Sequence, residues 1–138
     1  MMAKKHKARC ACGAVTFEFD TDPDFIAMCH CLDCKGASGG EAATWFGIPE
    51  SDFTITGGAT RSFSYVADSG KRLDRNFCPI CASRLYTSNL ESFPGMIFVQ
   101  VGSLEDPSFI APKLEMFVKR RLSWAKPLNL PQFDGMPA

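Results

Sequence analysis

Cys10-Ala11-Cys12-Gly13-Ala14-Val15-Thr16-Phe17-Glu18-Phe19 carries two signals in one stretch. From Val15 onward the side chains alternate: Val15, Phe17 and Phe19 point one way, and Thr16, Glu18 and Asp20 the other. A period of two is a strand with one buried face. The two cysteines ahead of it stand two residues apart, so at an extended strand end they share a face and can reach one metal ion. The stretch therefore sets two expectations for the whole chain, β-structure and metal-ligating cysteines.

Outward from this strand the alternation recurs. Phe53-Thr54-Ile55-Thr56 repeats it and ends at Gly57-Gly58, a turn signal. Phe63 and Tyr65 alternate with Ser62 and Ser64, Asp68-Ser69-Gly70 marks a turn, and Lys71 to Phe77 returns. Residues 61–77 thus read as a hairpin. Thr44 to Ile48, Arg84 to Thr87 and Met96 to Val101 are rich in aromatic and β-branched residues, and Leu114, Met116 and Val118 form another alternating face. Apolar residues nowhere hold a helical period for three turns. Any helix should be a single turn, placed after Pro49, since proline suits a first helical position. The fold class read from this pattern is all-β.

The chain has 138 residues and no break in composition long enough to separate two cores, so it reads as one domain. At 46% hydrophobic and 22% charged residues it has the make-up of a globular protein. Its longest nonpolar run, Phe25 to Cys29, is far short of the roughly 20 residues a membrane helix needs. The N-terminus is basic, but no signal-type apolar stretch follows it, and a cytoplasmic location is expected. Fifteen basic and fifteen acidic residues cancel, which argues against nucleic acid as the main partner. Lys4-Lys5-His6-Lys7-Arg9 and Lys119-Arg120-Arg121 read as a solvated tail and a charged strand end.

Seven cysteines are an odd number, and a reducing compartment disfavours disulfides in any case. They fall into three groups: Cys10 with Cys12, then Cys29-His30-Cys31-Leu32-Asp33-Cys34, then Cys78-Pro79-Ile80-Cys81. A C-x-x-C turn sets two sulfurs on one side of a bend, both within about 2.3 Å of a shared zinc. The division that leaves no stray thiol is four plus three. Cys10, Cys12, Cys78 and Cys81 form one site, and Cys29, Cys31 and Cys34 form the other. A zinc ribbon of Cys31 and Cys34 with Cys78 and Cys81 competes with it; spacing alone does not exclude this, although 43 residues intervene where ribbons have about 15 to 20. Structural zinc takes four protein ligands, whereas catalytic zinc takes three and leaves the fourth position open. Loading both sites would leave about three negative charges on the protein. His30 is the internal candidate for the open position, but it lies between two ligands, so in extended chain its ring points away and would line the pocket or make a supporting bond. His6 is assigned no role.

C-A-C-G-A-V-T-F-E, C-H-C-L-D-C-K-G-A-S-G and F-C-P-I-C-A-S-R-L-Y resemble the glutathione-dependent formaldehyde-activating enzyme family, as do V-G-S-L-E-D-P and R-R-L-S-W. The resemblance runs from about Cys10 to Trp124 and implies a β-tent fold. It also implies a structural zinc at Cys10, Cys12, Cys78 and Cys81, and a labile, catalytic zinc at Cys29, Cys31 and Cys34. The activity it implies joins glutathione to formaldehyde as S-hydroxymethylglutathione, a carbon–sulfur lyase reaction. The organisation expected is a basic tail over 1–9, a zinc-binding domain over 10–124, and a proline-rich tail over 125–138. From Ser123 onward the chain is proline-rich and is expected to wrap over the sheet, anchored by Trp124 and Phe133. One departure stands at Ala82, where the family commonly has glycine and a zinc knuckle tends to need positive φ; alanine there costs about 1 kcal/mol.

Three thiolates around zinc(II) leave a net charge of minus one, which makes a weak Lewis acid poorly suited to generating hydroxide. The same site should take an incoming thiol as thiolate, which fits hemithioacetal formation better than hydrolysis. The segment from Lys35 to Ala43 leaves directly from Cys34. Lys35 and the backbone amides near Ser38, Gly39 and Gly40 are candidates to receive a substrate carboxylate; the other reading is a flexible connector. A different class of function is a non-catalytic β-tent module, with both zincs structural and a surface that binds a protein or nucleic acid. Eukaryotic relatives with centromere-associated roles (the centromere protein V type) are of that kind.

Overall fold

In chain order the described residues form β1 (His6–Arg9), β2 (Thr16–Phe19), β3 (Ile26–Cys29), α1 (Leu32–Ser38), β4 (Ala43–Pro49), β5 (Thr54–Gly57), β6 (Arg61–Val66), β7 (Arg72–Phe77), β8 (Arg84–Ser88), β9 (Met96–Gln100) and β10 (Leu114–Met116). The structure, a computed structural model, describes residues 3–67 and 69–137; Asp68 of the expected turn, Met1 and Met2 of the expected tail, and Ala138 lie outside them. Strands β1, β2 and β5 make one sheet, and a seven-stranded sheet runs β10-β3-β4-β9-β8-β7-β6. The fold is mostly β, as the alternation indicates. Among the described residues no helix is long and apolar enough to cross a membrane.

The two sheets face each other across a core in which Phe17 and Phe19 of β2 meet Phe46, Ile48, Ile97 and Val99 of β4 and β9. The opposite face of the large sheet carries a second cluster, with Trp45 stacked on Phe98 at 4.2 Å, beneath α1. Strands β4 and β9 are therefore buried on both faces, and their sequences run apolar without strict alternation. Gly58 closes the approach to β2: with φ of 72°, its Cβ position would stand 2.0 Å from the Ala14 carbonyl oxygen. No side chain fits there.

Several expectations are corrected. Residues 6–9, expected in a solvated tail, form β1 antiparallel to β2, with Ala8 inward and Lys7 and Arg9 outward. The hairpin of β6 and β7 forms with Arg61 opposite Phe77, but β5 and β6 are edge strands, and Ile55 and Phe63 are 42% and 62% exposed. The turn after Pro49 exists as a 3-10 turn, Glu50–Asp52. The two-turn helix α1 was not expected; it is short and mostly polar, and Cys34 is its buried residue. It ends on Gly39, whose φ of 77° lets its amide reach the Lys35 carbonyl at 2.9 Å.

At the other end of the sheet, the alternating face of Leu114, Met116 and Val118 fails. Glu115 is as deeply buried as Met116, Phe117 turns to φ of 53°, and Val118 begins a 3-10 turn. The proline-rich strap does return to the sheet, but Trp124 is 65% exposed and anchors nothing. The strap is held instead at Glu115, whose amide donates to the Pro131 carbonyl and whose carbonyl accepts from the Phe133 amide.

Candidate metal centres

Strand β2 begins where the first cluster ends. A tight loop brings the Gly13 amide onto the Cys10 carbonyl and the Val15 amide onto Cys10 Sγ at 3.2 Å. From β7 the Cys78–Cys81 knuckle approaches, with the Ile80 and Cys81 amides aimed at Cys78 Sγ at 3.4 and 3.5 Å. Ala82 adopts φ of 62° to close the knuckle, the conformation for which glycine is the easier residue. Ser83 joins the halves: its hydroxyl accepts from the Ala11 amide at 3.0 Å and lies 3.1 Å from Cys81 Sγ. That contact, with the Ser83 amide beside it, draws the Cys81 thiol down to about 5.

Cys10, Cys12, Cys78 and Cys81 place their sulfurs within 4.8 Å of one another, with Cys12 3.6 Å from Cys10 and 3.7 Å from Cys78. A tetrahedron of 2.3 Å zinc–sulfur bonds has edges of about 3.8 Å. The cluster fits that geometry, and amide-to-sulfur hydrogen bonds are what thiolates require. Cys10 and Cys78 are also buried in the core between the sheets, so the cluster ties β2 to β7 across 66 residues of sequence.

The second cluster sits on the other face, at the end of β3. Cys29 ends the strand, and Cys31 caps α1 by accepting the Cys34 amide on its sulfur at 3.2 Å. The helix turn then brings Cys34 back beneath it. These three sulfurs also lie within 4.8 Å of one another, and Cys29 donates to Cys31 at 3.4 Å. Hydrogen bonds from Cys29 and Cys34 draw Cys31 down to about 2, and the same contact pushes Cys29 far above the usual thiol range. Three sulfurs this close cannot all ionise without a cation, so the donor set fits a metal ion that supplies the missing positive charge. The ribbon pairing of Cys31 and Cys34 with Cys78 and Cys81 does not form.

His30 points away from the sulfurs. Its ring is buried, its Nε2 lies 2.8 Å from Glu115 Oε1, and its Nδ1 has no hydrogen-bond partner among the described residues. Glu115 also accepts from Gln132 Nε2 and the Leu128 amide on Oε2 at 2.6 and 2.8 Å. Burial raises its carboxyl, but those bonds, His30 and the charge of Arg121 outweigh it and hold it near 2. Nothing in the local sequence singled out Glu115; a lone acid in an apolar alternation was the available signal.

The residues expected at the substrate rim are engaged locally. Lys35 Nζ donates to the Arg120 carbonyl, and Ser38 Oγ donates to the Ala42 carbonyl at 2.9 Å while accepting the Gly40 amide at 3.0 Å. A cleft of about 470 Å³ opens elsewhere, beside the four-cysteine cluster, lined by Arg9, Cys10, Ser83 and Glu105 among others.

Fold and sites together define a two-sheet β protein with one four-thiol and one three-thiol cluster, each able to hold a metal ion, on opposite faces of its large sheet. The chain belongs to the family described as glutathione-dependent formaldehyde-activating enzyme, whose model matches residues 5–120. A crystal structure of a Rhodobacter sphaeroides protein is similar, with a TM-score of 0.58 over 92% of this chain and 98% of that one, at 19% identity; the likeness is one of fold. Among curated proteins none matches this sequence.

Proposed function

We propose that the chain holds two zinc ions and joins a glutathione-like thiol to a small aldehyde as a hemithioacetal, chemistry of the carbon–sulfur lyase class. The observation that carries this reading is donor number. Cys10, Cys12, Cys78 and Cys81 offer four sulfurs, while Cys29, Cys31 and Cys34 offer three, with no fourth His, Cys, Asp or Glu donor grouped with them among the described residues. Four protein donors close a tetrahedral zinc, and three leave one position. Zinc at the second cluster would supply that position to a substrate sulfur and hold it deprotonated.

The chain's own residues prepare the rest. Cys29, Cys31 and Cys34 set an anionic donor set that favours thiol over water activation. Glu115 engages the His30 ring, which stays outside the three-sulfur donor set. Lys35, Ser38, Gly39 and Gly40 belong to the proposal as the rim a substrate passes. In the reaction the S–H bond breaks and the sulfur bonds to the carbonyl carbon. The carbonyl oxygen takes up one proton to become the hydroxyl, with no net oxidation. Seven unpaired thiols suit a reducing, cytoplasmic location.

Cobalt(II) in place of zinc tests the reading. Adding glutathione should strengthen the sulfur-to-cobalt charge-transfer band, and exchange spectroscopy with glutathione and formaldehyde should show faster adduct formation than Cys31→Ser gives. No response to any small thiol, with a protein side chain in the fourth position, would leave the non-catalytic binding module instead.

A further inference from the structure

Strands β6, β7 and β8 extend the face that carries the three-cysteine cluster. Cross-strand partners share a face, and here the pairs are Tyr65 with Leu73, Phe63 with Arg75, and Arg75 with Thr87. Leu73 packs on the same apolar cluster as Cys29, Cys34 and Trp45, which fixes that face as the one beneath α1. Arg75 is only 9% exposed, and no carboxylate among the described residues lies within ion-pair distance of it. Its Nε donates to the Tyr65 hydroxyl at 2.7 Å, and its Nη2 donates to the same oxygen. Nη1 makes no hydrogen bond to the described residues.

Arg84 joins it from the start of β8. Its Nη1 donates to the Ala37 carbonyl of α1 at 2.8 Å, which pins the guanidinium against the helix that carries Cys34. The Nε and Nη2 edge, the fork that grips a carboxylate, has no partner among the described residues. Burial, with the charge of Arg75 next, lowers the Arg84 guanidinium, while Cys34 and Tyr65 act on it in the opposite sense; Asp33 and Cys34 likewise act on Tyr65. Arg75, on the face that carries Leu73, and Arg84, bonded to α1, thus stand on neighbouring strands on the side of the sheet where Cys34 lies. The Tyr65 oxygen accepts from Arg75, which leaves its own proton to donate.

We propose that Arg84 Nε and Nη2, Arg75 Nη1 and the Tyr65 hydroxyl form an anion-binding subsite for the carboxylate of a thiol whose sulfur is directed to Cys29, Cys31 and Cys34. This wall, and not the α1 rim, then selects the carboxylate-bearing thiol of the proposed reaction over neutral thiols. The thiol half of the statement rests on the function proposed above; the anion half stands on the arginines alone.

The test separates the halves. Affinity of the cobalt-loaded protein for glutathione should fall about tenfold to a hundredfold in Arg84→Gln and in Arg75→Gln, with Arg84→Lys between. Affinity for 2-mercaptoethanol should change less than twofold, and glutathione diethyl ester, which carries no free carboxylate, should be indifferent to the substitutions. S-methylglutathione, which offers no thiol, should still shift the Arg75 and Arg84 Nε–H resonances of the wild-type protein, and fail to do so in Arg84→Gln for Arg75. If S-methylglutathione shifts them while no thiol reaches the cobalt, the anion site stands and the proposed function falls. Equal weakening of glutathione and 2-mercaptoethanol, or no shift of either arginine, overturns the subsite.

Discussion

His30 Nε2 and Glu115 Oε1 meet at 2.8 Å, both side chains fully enclosed, although 85 residues separate them in sequence. The contact joins the loop between two cysteines of the second cluster to β10, and through Glu115 to the C-terminal strap at Leu128 and Gln132. Removing one member of a buried, hydrogen-bonded pair leaves the other uncompensated, at about 3 to 5 kcal/mol. Glu115→Ala should lose stability on that scale in urea melts, and limited proteolysis should then cut within residues 121–137. Glu115→Gln, which keeps an acceptor, should lose about 1 to 2 kcal/mol. A strap that stays protected in Glu115→Ala would show that its backbone bonds to Glu115 suffice.

The two clusters should respond differently to ligand loss. Cys78 is buried between the sheets in the cluster that spans β2 and β7, whereas Cys31 is half-exposed beside a short helix. Cys78→Ser should prevent stable folding, because a metal bound there would contribute folding free energy on the order of 10 kcal/mol. Cys31→Ser should remain folded, with one metal equivalent. Metal analysis before and after brief chelation should find about one ion lost from the native protein and one retained. Equal loss of both, or equal melting of the two variants, would defeat the division.

The cysteines and half-buried strands were legible because each signal is local: sulfurs two or three residues apart, or apolar side chains alternating on one strand. Val15, Phe17 and Phe19 needed nothing beyond their own order. What escaped depends on distant partners. Ala8 is a lone apolar residue among bases, and only pairing with Phe17 makes it a strand residue. Glu115 reads as the polar side of an alternating strand, and only His30 and Gln132 make its burial tolerable. Arg75 and Arg84 lie in ordinary polar stretches; only the β6–β7–β8 register sets Arg75 on the face of Leu73, and only the folded sheet lets Arg84 reach the Ala37 carbonyl of α1. The helix α1 lacked an apolar period because it buries one residue, a cysteine, and takes its cap from another.

Ala82 offers a stabilising substitution. At φ of 62° it holds the left-handed conformation that closes the Cys78–Cys81 knuckle, and its amide donates to the Cys78 carbonyl at 2.9 Å. An alanine there carries about 1 kcal/mol of strain that glycine lacks, partly offset by the greater freedom of glycine in the unfolded chain. Ala82→Gly should therefore raise stability by about 0.5 kcal/mol with unchanged metal content, read as a higher urea midpoint. A lower midpoint would mean that the entropy of glycine dominates at this turn.

Asp52 gives the fold a dependence on acid. Its Oδ2 accepts from the Thr21 hydroxyl at 2.6 Å and the Thr21 amide at 2.8 Å, and its Oδ1 lies 3.1 Å from Lys4 Nζ. Burial raises its carboxyl, but Thr21, Lys4 and the Asp20 amide outweigh that and lower it from 3.8 to about 2. Between those values the unfolded chain binds the proton and the folded chain does not, so stability rises with pH through this window. The contribution is complete above about pH 5 and is lost as pH falls from the unfolded value through the folded one. Allowing for partial exposure it amounts to about 1 to 2 kcal/mol. Asp52→Asn should be less stable than the native protein by that amount at pH 7, and the gap should close as pH falls below 4. Both proteins carry the same seven thiols, so their loss of metal in acid is common to both and the difference isolates Asp52. A gap that stays constant down to pH 3 would show that the hydrogen-bond geometry at Thr21, and not the charge, carries the effect.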